Sequence, residues 1–291
     1  MKLLGHILIL VLIELSLTLG VVSGWAQDIV NSVSSNPEIT ENLEKNTEKP
    51  ILVLLSVSTA SNLISTASDE AGQDRSTNIE VRPTFKISED LSVGATLGLI
   101  KSHVGEETLE AINTKFALAY KETPILSWLS THPSTFVRFP TNETSRKRDR
   151  LQVSAGVENT LTARSHIFGL TNSNSYGFSV QKNSHEFDRN AEGTANIEYQ
   201  LQHAISENLS IHKNITLGLG ALFVQQRTYH QHWIERYEFS QEMAYEFQNN
   251  LVAKMGHQTG GALFKANGKD SNLELYNGYT SLFYLGLDYL F

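Results

Sequence analysis

The stretch at residues 281–291, SLFYLGLDYLF, decides the fold. Taken in steps of two it separates into Phe283, Leu285, Leu287, Tyr289 and Phe291 on one side, and Tyr284, Gly286, Asp288 and Leu290 on the other. Successive side chains of a β-strand point to opposite faces, so one face is wholly apolar and aromatic while the other carries a charge. A surface of the first kind suits lipid, and the second tolerates water. The same period of two runs backwards through much of the chain.

In NIEVRPTFKI (78–87) the apolar parity holds Ile79, Val81, Pro83, Phe85 and Ile87 over Glu80, Arg82, Thr84 and Lys86. LSVGATLGLI, ANIEYQLQHAI, ITLGLGALF and YEFSQEMAYEF repeat the pattern, the last with Glu238, Glu242 and Glu246 on its polar side. A soluble sandwich also alternates, so alternation alone leaves the class open. Two further features favour a membrane barrel. Short polar connections recur in ISEDLSV (87–93), ISENLSI (205–211) and FQNNLVA (247–253), whereas SDEAGQDRST and KNSHEFDRNAEG are longer and more polar. Short turns at one end and long loops at the other mark such barrels, and many segments reach the roughly ten residues that a tilted membrane strand needs.

Twelve segments are expected, at about 51–66, 78–88, 91–102, 111–121, 134–140, 150–161, 166–181, 192–206, 209–228, 235–248, 251–265 and 273–291. The fifth, STFVRFP, is short, and the seventh puts Asn172 and Asn174 on the lipid parity, so ten strands is the alternative. The fold expected is an all-β, antiparallel, up-and-down transmembrane β-barrel at 51–291.

Upstream, Lys2 precedes an apolar run that ends in small residues, with Gly24 and Ala26 at the spacing of an export cleavage site. Residues 1–26 therefore read as a cleaved signal peptide, and the polar, acidic residues 27–50 as a flexible periplasmic lead-in. The sequence has no cysteine, which excludes disulfides, thiolate chemistry and lipid attachment through cysteine. A net charge of −8 argues against nucleic-acid binding, and the one basic run, SRKRDR (145–150), reads as a loop tip.

Together these features resemble bacterial outer-membrane β-barrel proteins. The resemblance implies outer-membrane lipids as surroundings, and a last strand, Leu285, Leu287, Tyr289 and Phe291, read by the barrel-assembly machinery. It points to no functional family.

The polar parity supplies the candidate site. Arg82, Lys86, Lys115, Lys121 and Arg138 come from strands two to five, and Glu158, Glu198, Glu238, Glu242 and Glu246 from strands six to ten. Positive and negative walls facing across a water-filled bore would select small polar or charged solutes. The same groups could instead fill a narrow lumen with ion pairs, giving a closed barrel that acts through its loops. Enzyme signals are thin. His230 and His232 form a two-apart pair that needs a third metal ligand, His257 in GHQTGG lacks a serine context, and His185 with Asp188 sits in a loop-like stretch. Aromatic residues toward segment ends, among them Tyr120, Trp128, Trp233 and Tyr237, read as interfacial girdles. The expectation is a monomeric, cofactor-free, porin-like barrel, with a loop-presenting barrel or a membrane hydrolase as alternatives.

Overall fold

The computed structural model describes residues 51–62, 75–103, 108–167, 170–247, 250–264, 271–276 and 281–291. The expected leader and acidic lead-in lie outside them. Twelve strands form the wall: β1 (Ile51–Ser61), β2 (Arg75–Lys86), β3 (Leu91–Ser102), β4 in three pieces (Leu109–Ala111, Thr114–Tyr120, Thr123–Leu126), β5 (Leu129–Phe139) and β6 (Leu151–Ile167). They continue as β7 (Leu170–His185), β8 (Ile197–His212), β9 (Ile215–Thr228), β10 (Trp233–Glu246), β11 (Leu251–Ala262) and β12 (Leu282–Leu290). Each strand pairs antiparallel with its neighbours in sequence, and β12 returns to β1 in a register from Leu54↔Leu290 to Ser61↔Phe283, closing the ring. Closure removes the bare edges that an open sheet would present.

The wall is inverted relative to a soluble protein. Leu97, Leu99, Leu217, Leu219, Met243 and Met255 stand exposed on the outside, while Ser154, Ser173, Gln181, Gln200, Asn208 and Gln258 are buried within. On β12, Leu285 and Leu287 are 58% and 51% exposed, against 7% for Tyr284 and 5% for Asp288. The period-two reading of the last strand therefore holds residue by residue. Among the described residues no helix is long and apolar enough to cross a membrane.

Several expected boundaries move. The fifth strand begins at Leu129, not near 134, because Leu126↔Leu129 closes a hairpin on Ser127 and Trp128. The sixth and seventh strands run to Ile167 and from Leu170, so the reversal lies beyond the expected 161–166. The run SENLS (206–210) is strand, not turn: it pairs with both β7 and β9, and β8 reverses at Lys213 and Asn214. The last strand starts at Leu282, not 273, and residues 271–276 have another role.

That role is to strap the outside of the barrel. Tyr237 sits on the outward parity of β10 yet is buried, because its hydroxyl donates to the Asn272 carbonyl oxygen at 2.8 Å and accepts from the Glu274 N–H. It packs with Phe223 and Leu263, and the Tyr276 ring lies 5.9 Å from that of outward-facing His257. Tyr237 is thus a seat for this strap and not a free interfacial aromatic.

Inside, glycine makes room for an aromatic ring. The hydroxyl end of the Tyr284 ring of β12 lies against Gly256 of β11, so closely that a Cβ at Gly256 would collide with Tyr284 Cζ, its hydroxyl oxygen and the Gln241 carbonyl oxygen. Gly256→Ala should therefore cost about 1–3 kcal/mol, as overpacking typically does. Urea unfolding of the refolded barrel is the check, and Gly94→Ala, which has only ordinary contacts, serves as the near-neutral control.

Candidate functional site

The inward side chains of β1, β2 and β10–β12 converge into one charged cluster. Lys254 Nζ lies 2.5 Å from Asp288 Oδ2, an ion pair with both side chains almost fully buried. One turn of the wall away, Tyr284 donates its hydroxyl to Glu242 Oε2 at 2.8 Å. On β2 the Glu80 carboxylate, 1% exposed, takes Arg82 Nε at 3.0 Å and a second guanidinium nitrogen at 2.6 Å on one oxygen, and Asn78 Nδ2 at 2.7 Å on the other. Ser56, Ser58 and Gly286 complete the recess around these groups. Such burial is tolerated because each carboxylate meets a cation or a donor, and an unpaired buried charge would be far more costly.

The opposite wall is wetter. Lys115 of β4 reaches across β5 to Glu158 of β6 at 2.7 Å, and these side chains keep 24% and 31% of their exposure. Phe136 lies beneath Lys115 Nζ, 4.5 Å from ring centre to nitrogen, with Arg138 on the same ring. Lys115 and Arg138 are direct cross-strand partners, so their repulsion is relieved by Glu158 and the π-face.

The expected lumenal residues are thus mostly brought inside, but not as separate walls. Arg82, Lys115, Arg138, Glu158, Glu238 and Glu242 face the bore, with positive groups interleaved among negative ones. Lys86 ends β2 and Lys121 follows Tyr120, which places both at the rim where the short turns lie. Glu246 ends β10 at the same rim. Glu198 departs furthest from expectation. The β8–β9 register slips between Ile197 and Tyr199, and Glu198 pairs at 3.1 Å with Arg227, which also stacks on Tyr199 of the outer face. A bulge re-aims a side chain, and here it takes Glu198 out of the bore. Sequence reading missed Lys254 and Asp288 as a buried pair, since it depends on their register through Gly286.

The loop-end histidines form local contacts. His230 Nε2 lies 2.9 Å from Asp188 Oδ2, and His185 bonds the carbonyl oxygens of Asp149 and Ile197. No group of three His, Asp or Glu side chains suited to a metal occurs among the described residues. His257 faces outward against Tyr276 and Phe283. SRKRDR does form the tip of the β5–β6 loop, as a short helical turn from Thr144 to Arg148. There the Lys147 ammonium holds the Glu143 carboxyl below its ordinary range, and Asp149 raises the Arg148 guanidinium.

No protein-family model matches the chain, and no curated protein does. Solved structures do. An outer membrane channel from Pseudomonas putida F1 aligns over 83% of this chain and 95% of its own, with a TM-score of 0.54 at 10% identity. The NanC porin aligns over 81% and 98%, with a TM-score of 0.50 at 10% identity. The fold is that of an outer-membrane β-barrel. LpxR from Salmonella typhimurium aligns over 82% of this chain and 100% of its own, at a TM-score of 0.42 and 8% identity.

Proposed function

We propose that the protein is an outer-membrane pore for passive transport of small polar or charged solutes. In this reading the short turns face the periplasm, the long loops face outward, and β12 with the Phe291 that follows it serves in assembly and lipid contact. The observation that carries it is the Lys115–Glu158 pair. Both side chains lie on mid-wall strands, point into the bore and retain a quarter to a third of their solvent exposure. Charges so placed need water, and the inward side chains around β6–β9 are polar Ser, Asn and Gln, though packed to near-complete burial. Interleaved cations and anions would favour dipolar or mixed-charge solutes over a single sign of ion. The channel and porin of the same fold support the reading.

The test is single-channel recording of the refolded mature chain in a planar bilayer. Reproducible current steps are expected. An inserted, β-rich barrel that stays silent across many insertions would overturn the pore and favour a closed barrel acting through its loops.

A further inference from the structure

Outside the barrel, polar side chains gather in one sector, although Gln241 of β10 and His257 of β11 also face outward. Asn172 and Asn174 of β7 and Glu207 of β8 all point outward, since the alternate residues Ser173, Ser206 and Asn208 are buried inside. Asn174 and Glu207 are direct cross-strand partners, and Asn172 Nδ2 approaches Glu207 Oε1 at 3.3 Å. The sector widens onto β6 and β5, where outward-facing Ser165 opposes Asn172, and Thr131 donates to Asn159 Oδ1 at 2.8 Å. Glu207 stands well up β8 from the turn at Lys213, level in register with Leu219 of β9, which is 55% exposed on the apolar outer wall. The same register continues through Gln241 of β10 and His257 of β11 to Phe283 of β12, while Leu217 and Met243, one outward position nearer the turns, are 40% and 42% exposed.

Bilayer hydrocarbon offers nothing to a carboxylate or a carboxamide. One other outward polar side chain is covered: His257 of β11 lies under Tyr276 of the strap. Among the described residues no strap covers Asn172, Asn174 and Glu207. Within one copy Asn174 donates to Asn172 Oδ1 and Asn172 to Glu207 Oε1, so donors on β7 stand beside an acceptor on β8 and the sector can exchange these partners with a second copy; the small Ala163 and Ser165 of β6 face Asn174 and Asn172. Two copies related by a two-fold axis would set Glu207 of each against the Asn amides of the other, an isologous contact.

We propose that this sector of β5–β8 is the interface of a homodimer within the membrane, in place of the expected monomer. The proposal rests on the membrane-spanning reading of the barrel. It does not depend on whether the bore conducts.

The absence of cysteine gives a clean test. Asn174→Cys and Ser165→Cys should each form disulfide-linked dimers when the refolded chain is oxidised in lipid vesicles at high lipid-to-protein ratio. Leu285→Cys and Leu99→Cys, outward on the far wall, should not. The double variant Asn174→Leu, Glu207→Leu should fold and weaken self-association at least tenfold, read as energy transfer between labelled copies in the same vesicles. Equal cross-linking at all four positions, or inserted barrels that stay monomeric, would overturn the dimer while leaving the barrel intact. Failure to enter vesicles at all would instead count against the membrane reading on which it stands. A double variant that folds and associates as well as the parent would also overturn the dimer.

Discussion

Lys254→Met should destabilise the barrel by about 3–5 kcal/mol, the usual cost of removing one partner from a buried ion pair. Lys254 Nζ lies 2.5 Å from Asp288, and neither side chain keeps more than 7% of its exposure. The lysine shares its recess with Glu242 and with the Arg82–Glu80 pair, whose cation is already engaged by Glu80. Its loss leaves carboxylates facing one another in a space where water is scarce, and one of them must take up a proton or draw water into the wall. Urea unfolding followed by the fluorescence of Trp128 and Trp233 measures the loss. The double variant Lys254→Met, Asp288→Leu should regain most of it, because replacing both charges by apolar groups removes the desolvation cost along with the attraction. A single-variant loss under about 1 kcal/mol would show that the pair is solvated and behaves as a surface salt bridge.

Lys115→Glu should raise the cation-over-anion permeability ratio roughly threefold to tenfold at low salt. The substitution reverses a charge on the water-accessible wall and sets it against Glu158, so the bore loses one cation and gains one anion at a single level. Two unit charges several ångströms apart interact by about 1 kcal/mol or less in water and more near a low-dielectric wall, and salt screens the effect. Lys86→Glu should shift the ratio in the same direction but less, because Lys86 lies at the rim. Reversal potentials in a salt gradient read both. Unchanged potentials in the two variants would remove these residues from the permeation path.

The class of fold was legible because lipid imposes a coarse, repeated demand on every strand. Phe283, Leu285, Leu287 and Tyr289 could be placed outside from spacing alone. Register was not legible, since it depends on where turns fall, and a slip of one residue sends every side chain to the other face. The run SENLS shows why. Ser206 and Asn208 are polar because they line the bore, and Glu207 is polar although it faces out, so three polar residues in succession imitate a turn. The real reversal, Lys213 and Asn214, looks no more turn-like. Ion pairs failed to appear for a related reason. Lys115 and Glu158 are separated by an entire strand, and only the register of β4, β5 and β6 brings them to 2.7 Å. The bulge at Glu198 broke parity with no Gly or Pro to announce it.

The ring is shut by the final residues of the chain. Leu290 donates its N–H to the Asn250 carbonyl oxygen on one side, and Phe291 donates to Val53 on the other, at 3.0 Å each. Strand β12 is only nine residues long, against seventeen for β6, yet both β1 and β11 depend on it for their partners. Without β12 the sheet would keep two bare edges, each a template for indiscriminate pairing. Nine residues make the difference between a curled sheet and a vessel.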